Sequence, residues 1–448
     1  MSPSKLKYIS TSVFMLILVL LPLIFKACEY IDTMSKSQFA IIDVIDEPLN
    51  PTLEIIDEPK HIAVNHFVAA IKDDGTLWTW GFNEGYLRND ENKSNRIDDT
   101  VPYQVEGIDD AVAVVTEGLG VFALLKADGT VWAWGRVGST DIIVDPDDDS
   151  STIRDLRQIK GINNVVDIAI DDDNLVFLTQ QGDVYMMGNN TAGWVNGDLT
   201  QEILETPTKV PNLTDIIRIE ISGKLLLALN RDGELYSTGV STYRLGRIAN
   251  APKLANSDFR MANKVVLPEK VVDFVASVRP PMALLEDGSV WIWGKQKNLT
   301  MKETTLKGLY IDLNNEFTEE NVSNGLVDEA LLPVKHELLH KVINIDENQA
   351  VTENGNLYVW GSYLNTTKTK SDYESNTTQF RKPRLIKKNV DPVQLYYSRY
   401  VSAVIMKNGS VYFWHSNMSG ERGTGEIVDG EMTDDYIFTP EKSIFTTH

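Results

Sequence analysis

From Phe67 onward the chain repeats one alternation of apolar and polar positions: an apolar strand, a polar turn ending in glycine, and a second strand that closes on glycine. The first copy reads Phe67-Val68-Ala69-Ala70-Ile71-Lys72-Asp73-Asp74-Gly75-Thr76-Leu77-Trp78-Thr79-Trp80-Gly81. Six further turns follow at Asp128-Gly129, Gln181-Gly182, Asp232-Gly233, Asp287-Gly288, Asn354-Gly355 and Asn408-Gly409, with glycine spacings of 54, 53, 51, 55, 67 and 54 residues. Asp-Gly and Asn-Gly tolerate the positive φ angles of a tight two-residue hairpin turn, so each copy predicts two antiparallel strands. Self-similarity at this period predicts one repetitive array.

The outgoing strand of each hairpin carries large side chains two positions apart, which places them on one face of the strand. The pairs are Trp78/Trp80, Trp132/Trp134, Tyr185/Met187, Tyr236/Thr238, Trp291/Trp293, Tyr358/Trp360 and Tyr412/Trp414. Such a recurring stripe is expected to pack neighbouring sheets together. Between hairpins lie a short strand near a proline and then an apolar strand, as in Thr206–Val210 before Ile216–Ile221, Val101–Val105 before Ala111–Val115, and Lys382–Ile386 before Val393–Tyr397. That makes four strands per copy. Seven four-stranded units bury their faces by radial packing, so residues 59–448 are expected to form a seven-bladed β-propeller, an all-β fold of antiparallel blades. Phe438–Lys442 supplies the fourth strand of the last blade.

These units resemble repeats of the regulator of chromosome condensation family, over roughly Glu58 to His448. The resemblance is sharpest in Leu124–Gly135 and Leu285–Gly294, which combine the hydrophobic strand, Asp-Gly, and Val-Trp-x-Trp-Gly. The family's Asn-x-x-Gly-x-Leu-Gly loop survives in pieces at Asn83–Leu87, Asn190–Trp194 and Tyr243–Gly246. The resemblance implies partner recognition through loops. Chromatin binding and nucleotide exchange on a small GTPase occur in its eukaryotic branch, and inhibition of β-lactamases in secreted bacterial propellers, which keeps an enzyme-inhibitor role as an alternative. In an up-and-down blade the tight turns mark one end of the ring. The opposite end receives the variable loops, including the large insertion between Gly294 and Pro333, and is the expected protein-binding surface. Its aromatic anchors are expected to be Tyr86, Trp194, Tyr243 and Tyr363.

Ahead of the repeats, Lys5 and Lys7 precede an uncharged run from Tyr8 to Phe25, and Lys26 follows. Eighteen such residues reach about 27 Å as a helix, close to a bilayer's hydrocarbon thickness. Residues 1–28 are therefore expected to form a membrane-targeting helix, as a signal anchor, a cleaved signal, or a lipoprotein-like signal with Cys28 lipidated after Ala27. All three export the chain, and the amino terminus with Lys5 and Lys7 on the inner side is expected to leave the bulk outside the cytoplasm. Residues 29–58 are acidic and proline-broken, as expected of a spacer.

The 64 Asp and Glu against 42 Lys and Arg give 42 − 64 = −22, which opposes nucleic-acid binding and chromatin partners. A single cysteine excludes an intramolecular disulfide framework. One enzyme motif appears, His336-Glu337-Leu338-Leu339-His340, matching the His-Glu-x-x-His pattern of zinc metallopeptidases, in which His336 and His340 would bind the metal and Glu337 act on its water. Aligned on the repeat, it falls in a connection between strands, where no useful helix fits. The acidic runs Asp145–Asp149 and Asp171–Asp173 lack calcium-loop spacing and are expected to be solvated loops. No cofactor motif is present. The expectation is a monomeric, non-enzymatic bacterial propeller, exported or membrane-tethered, that binds a protein or cell-envelope component, with zinc peptidase activity as an alternative from a different class.

Overall fold

Each of the seven predicted hairpins forms the middle pair of a four-stranded antiparallel sheet, and strand order within every sheet follows chain order. The computed structural model describes residues 60–64, 67–83, 97–117, 121–135, 153–171, 173–240, 244–247, 261–277, 280–294, 333–336, 338–365, 376–397, 401–415, 422, 424 and 439–447. Helical residues among them are confined to the short 3-10 turn Thr191–Gly193 and to Arg244. The expected membrane-targeting helix of residues 1–28, with Cys28, and the spacer 29–58 lie outside the described residues. No helix among the described residues is long and apolar enough to cross a membrane.

The first strand of each blade lies innermost: Ile62–Val64, Ala111–Glu117, Val165–Ile170, Ile216–Ile221, Val271–Val275, Val342–Asp346 and Pro392–Tyr397. Blades meet through apolar faces. Between blades 3 and 4, for example, Val176, Leu178 and Met186 pack with Ile219, Leu226 and Ala228. The aromatic stripe does what its recurrence predicts. The second member of the pair is buried at Trp80, Met187, Thr238, Trp293, Trp360 and Trp414, while the first is half-buried at Trp78, Trp132, Tyr185, Tyr236, Trp291 and Tyr412.

The turns differ from the two-residue form expected. Gly75 N–H donates to the Lys72 carbonyl (2.9 Å) and Lys72 N–H to the Thr76 carbonyl (3.0 Å), so the loop is a three-residue turn closed by a glycine bulge. All seven turn glycines have positive φ, and none of the residues before them does. The preceding aspartate has another task. Asp74 Oδ1 accepts from Thr76 N–H (3.0 Å) and Thr76 Oγ1 (2.6 Å), and Thr76 Oγ1 accepts from Trp78 Nε1 (3.0 Å). Blade 2 repeats this with Asp128, Thr130 and Trp132, and blade 5 with Asp287, Ser289 and Trp291. Asp-Gly-Thr/Ser-x-Trp is thus one hydrogen-bonded unit, and the Thr76 bonds hold the Asp74 carboxyl below its ordinary range.

The turn end of the ring is tied together by a recurring set of backbone bonds. The Gly75 carbonyl accepts from Ala111 N–H at the start of blade 2 (3.1 Å), and Asp110, just before it, accepts from Ala127 N–H in blade 2's own turn (2.8 Å). The same forward bond recurs from Gly129, Gly182, Gly233, Gly288 and Gly355 to Val165, Ile216, Val271, Val342 and Val390. Between blades 7 and 1 the bridging residue is Thr447, which follows the last strand. Its N–H donates to the Gly409 carbonyl (3.1 Å), and its own carbonyl accepts from Asp73 N–H (3.0 Å). Trp80 of blade 1 then packs against Phe413 and Phe445 of blade 7, with ring centroids 6.0 and 5.1 Å away. The ring therefore closes by packing and one bridging backbone unit, and each blade is built from consecutive strands.

Candidate functional site

The innermost strands of blades 3 to 7 carry a polar residue at their third position: Asp167, Arg218, Asp273, Asn344 and Gln394. A polar side chain so deep needs partners. Asp167 accepts from Ile168 N–H (2.8 Å) and from Ile219 N–H of the next blade (3.3 Å). Asp273, fully buried, accepts from Phe274 N–H (2.8 Å) and from Ile345 N–H of the next blade (3.2 Å). Arg218 bridges blades 4 and 5, with Nη1 2.5 Å from Asp273 Oδ1 and Nη2 2.6 Å from Glu220 Oε1, and its guanidinium stands 4.7 Å from the centre of the Phe274 ring.

Lys60, which precedes the first strand of blade 1, reaches the opposite side of the ring. Its Nζ donates to the carbonyls of Ile168 in blade 3 (2.7 Å) and Ile219 in blade 4 (3.0 Å) and pairs with Asp167 (2.7 Å). The central shaft thus already holds one ammonium group between two carbonyl oxygens and a carboxylate. Farther along the shaft, toward the end opposite the tight turns, the charge balance reverses. Glu220 Oε2 accepts from Ala276 N–H (2.8 Å), Ser277 Oγ donates to Glu347 Oε1, and Asp346 Oδ1 accepts from Glu347 N–H (2.6 Å). Burial pushes the Asp346 carboxyl well above its usual range, and the neighbouring Glu220 and Glu347 push it further. Burial likewise raises Glu220, against the opposing pull of Arg218 and Lys60.

This opposite end, the rim, is joined by side chains. Asp171 accepts from Lys224 N–H (2.8 Å), Asp173 pairs with Lys224 Nζ (3.0 Å), and Arg244 donates to the carbonyls of Ser222 (3.2 Å) and Ser277 (3.0 Å). Asp171 and Asp173 are therefore blade connectors, a correction to their expected place in a solvated loop. Asp172 and Asp145–Asp149 lie outside the described residues.

The expected site residues are distributed as follows. Trp194 is 1% exposed and packs with Val195, Met186 and Ala262, so its ring supplies packing between blades 3 and 4 instead of an open surface. Its loop is folded by Asn190, whose carboxamide bonds Asn196, the Asp198 and Gln201 carbonyls and Val195 N–H. The family loop motif is legible here as a self-bonding scaffold. Tyr86 and Tyr243 lie outside the described residues, and Tyr363 lies on the strand Leu357–Asn365 of blade 6. His336 follows the two-residue strand Val334–Lys335, accepts from Leu338 N–H through Nδ1 (3.2 Å), and is buried against Trp360. Burial holds its imidazole down to about 3. Glu337 lies outside the described residues, and His340 is half-buried in a connection. No group of three or more His, Cys, Asp or Glu among the described residues is arranged to hold a metal ion.

Sequence reasoning missed the shaft because its members are scattered between positions 60 and 347, where each looks like an ordinary polar residue in or beside an apolar strand. Three relatives frame the chain. The protein pim1 of Schizosaccharomyces pombe is 25% identical over 349 residues, covering 72% of this chain and 63% of that protein. The regulator of chromosome condensation of Mus musculus is 27% identical over 192 residues, covering 41% of this chain and 39% of that protein. Among solved structures, yeast Prp20, a regulator of chromosome condensation bound to Kap60, shares 17% identity with a TM-score of 0.46, over 86% of this chain and 74% of that one. No family model matches. The chain thus spans less than two thirds of the two sequence relatives. Its homologues are proteins of the regulator of chromosome condensation family, and its seven four-stranded blades are consistent with repeats of that kind.

Proposed function

We propose that the chain is a non-catalytic interaction propeller, exported and held at the membrane by its N-terminal segment, that docks a protein or cell-envelope component on its rim. The inequality of the two ends carries the proposal. One end is a closed circuit of short turns whose backbone groups pair from blade to blade, leaving little freedom for recognition. At the rim end stand the strand ends that border the long stretches 84–96, 295–332, 366–375 and 416–438, together with the charged end of the shaft. Loops of free length on a rigid ring are the usual carriers of partner specificity. Net charge of −22 supports a protein or envelope partner over nucleic acid. The uncharged run 8–25 supports the tether.

Photo-crosslinking residues placed singly at Tyr86, Tyr243 and Tyr363 in the full-length chain, and at Asp74, Asp128 and Asp232 on the turn end, test this in the native host. Adducts are expected from the first set. Adducts confined to the second set would sink the docking face.

A further inference from the structure

Resting on that docking face, the geometry points to a lysine or arginine side chain of the partner polypeptide as the group that enters the shaft mouth, between Glu220, Asp346 and Glu347. Three observations converge. Among the described residues, the shaft brings together five carboxylates, Asp167, Glu220, Asp273, Asp346 and Glu347, against the two cations Lys60 and Arg218. Lys60 pairs with Asp167, and Arg218 is shared between Asp273 and Glu220, so the carboxylates left over are Asp346 and Glu347 at the rim end.

The second observation is an orphaned acceptor. Gln349 is fully buried, and its Nε2 reaches Asp346 Oδ2 at 3.3 Å, while Oε1 of the same carboxamide has no hydrogen-bond partner. A buried acceptor beside a carboxylate cluster asks for a donor, and an ammonium or guanidinium offers several.

The third is Lys60 itself. The shaft holds a primary ammonium between the Ile168 and Ile219 carbonyls and Asp167, so it already accepts one such group through carbonyl and carboxylate oxygens. A cation entering from the rim would neutralise carboxylates that crowd one another at Asp346, which burial raises first and Glu220 and Glu347 raise further. Acidic groups focused by low-dielectric walls also raise the local concentration of such a side chain before docking.

The test uses the full-length chain in detergent and a fluorescein-labelled peptide of three lysines spaced by Gly-Ser, with the same peptide acetylated on every lysine as its control. Anisotropy titration is expected to show binding of the lysine peptide and not of the acetylated one. Glu220→Gln and Glu347→Gln together are expected to weaken it about tenfold or more, the effect of one lost charge-assisted hydrogen bond. Asp74→Asn with Asp128→Asn, which removes equal charge from the turn end, is expected to change it by no more than about twofold. Equal loss from both pairs would mean general attraction to an acidic protein and would overturn the proposal. Tighter binding when Lys5, Lys7 and Lys26 are changed to Gln would assign the mouth to the chain's own leader and overturn it too. Either result, with crosslinks still formed at Tyr86, Tyr243 or Tyr363, leaves the docking face intact. Loss of those crosslinks alone removes the face and not the cation site.

Discussion

Two glycines with nearly the same backbone angle separate the cost of positive φ from the cost of crowding the next blade. Gly75 (φ +80) and Gly107 (φ +78) both sit in the left-handed region, where any β-carbon adds about 1–2 kcal/mol of strain. Around Gly107 a β-carbon would meet nothing within 4 Å, so Gly107→Ala is expected to lose that strain energy alone. At Gly75 the added carbon would lie 2.5 Å from the Asp109 carbonyl oxygen and 3.0 Å from its carbon. Backbone must move, because no flexible side chain stands there to yield. Displacing Asp109–Asp110 strains the Ala111 to Gly75 and Ala127 to Asp110 hydrogen bonds, each worth about 1 kcal/mol, and adds an overpacking cost of about 1–3 kcal/mol. Gly75→Ala is therefore expected to destabilise by about 3–5 kcal/mol, against about 1–2 kcal/mol for Gly107→Ala. Urea unfolding reads the difference as a larger fall in midpoint at an unchanged slope. Hydrogen exchange should show faster exchange of the Ala111 amide in the first variant alone. Equal destabilisation of the two variants, with Ala111 still protected, would refute the claim that the turn glycines are held by contact between blades.

Two further outcomes follow from the same geometry. Thr447→Pro removes the N–H that Gly409 accepts and should expose the Asp73 amide and the seam between blades 7 and 1 to exchange and proteolysis, whereas Thr447→Ala, which keeps both backbone bonds, should leave the seam closed. His336 is neutral in the fold down to about pH 3 and gains its proton near pH 6.5 when unfolded, so the unfolded state binds more protons in that window. Stability should fall as pH drops below 6.5, with a slope from this group of at most about 1.4 kcal/mol per unit. His336→Asn, able to retain the bond from Leu338 N–H, should flatten the profile measured by urea unfolding at pH 7, 6 and 5, and parallel profiles would refute it.

The family repeat led to the right architecture because its information is local. Asp74, Gly75, Thr76 and Trp78 lie within five residues and form a complete hydrogen-bonded unit, so the hairpin, its register and its aromatic face all appear in one short stretch of sequence. The expected turn class was off by one residue because Asp-Gly serves two geometries, and only the Lys72–Thr76 pairing chooses between them. Trp194 shows a different limit. Its place in a loop of the variable end suggested a docking anchor, yet Asn190 folds its loop inward and buries the ring.

Sequence alone determined how many blades there are, because each hairpin is stabilised by neighbours a few residues away. What lies at the centre was decided by tertiary structure. Lys60 meets Ile168 and Ile219, and Arg218 meets Asp273, only after the innermost strands are arranged about a common axis. Charges brought together from positions more than fifty residues apart leave no periodic trace, since their attraction and desolvation arise from the closed ring and not from the segments that form it.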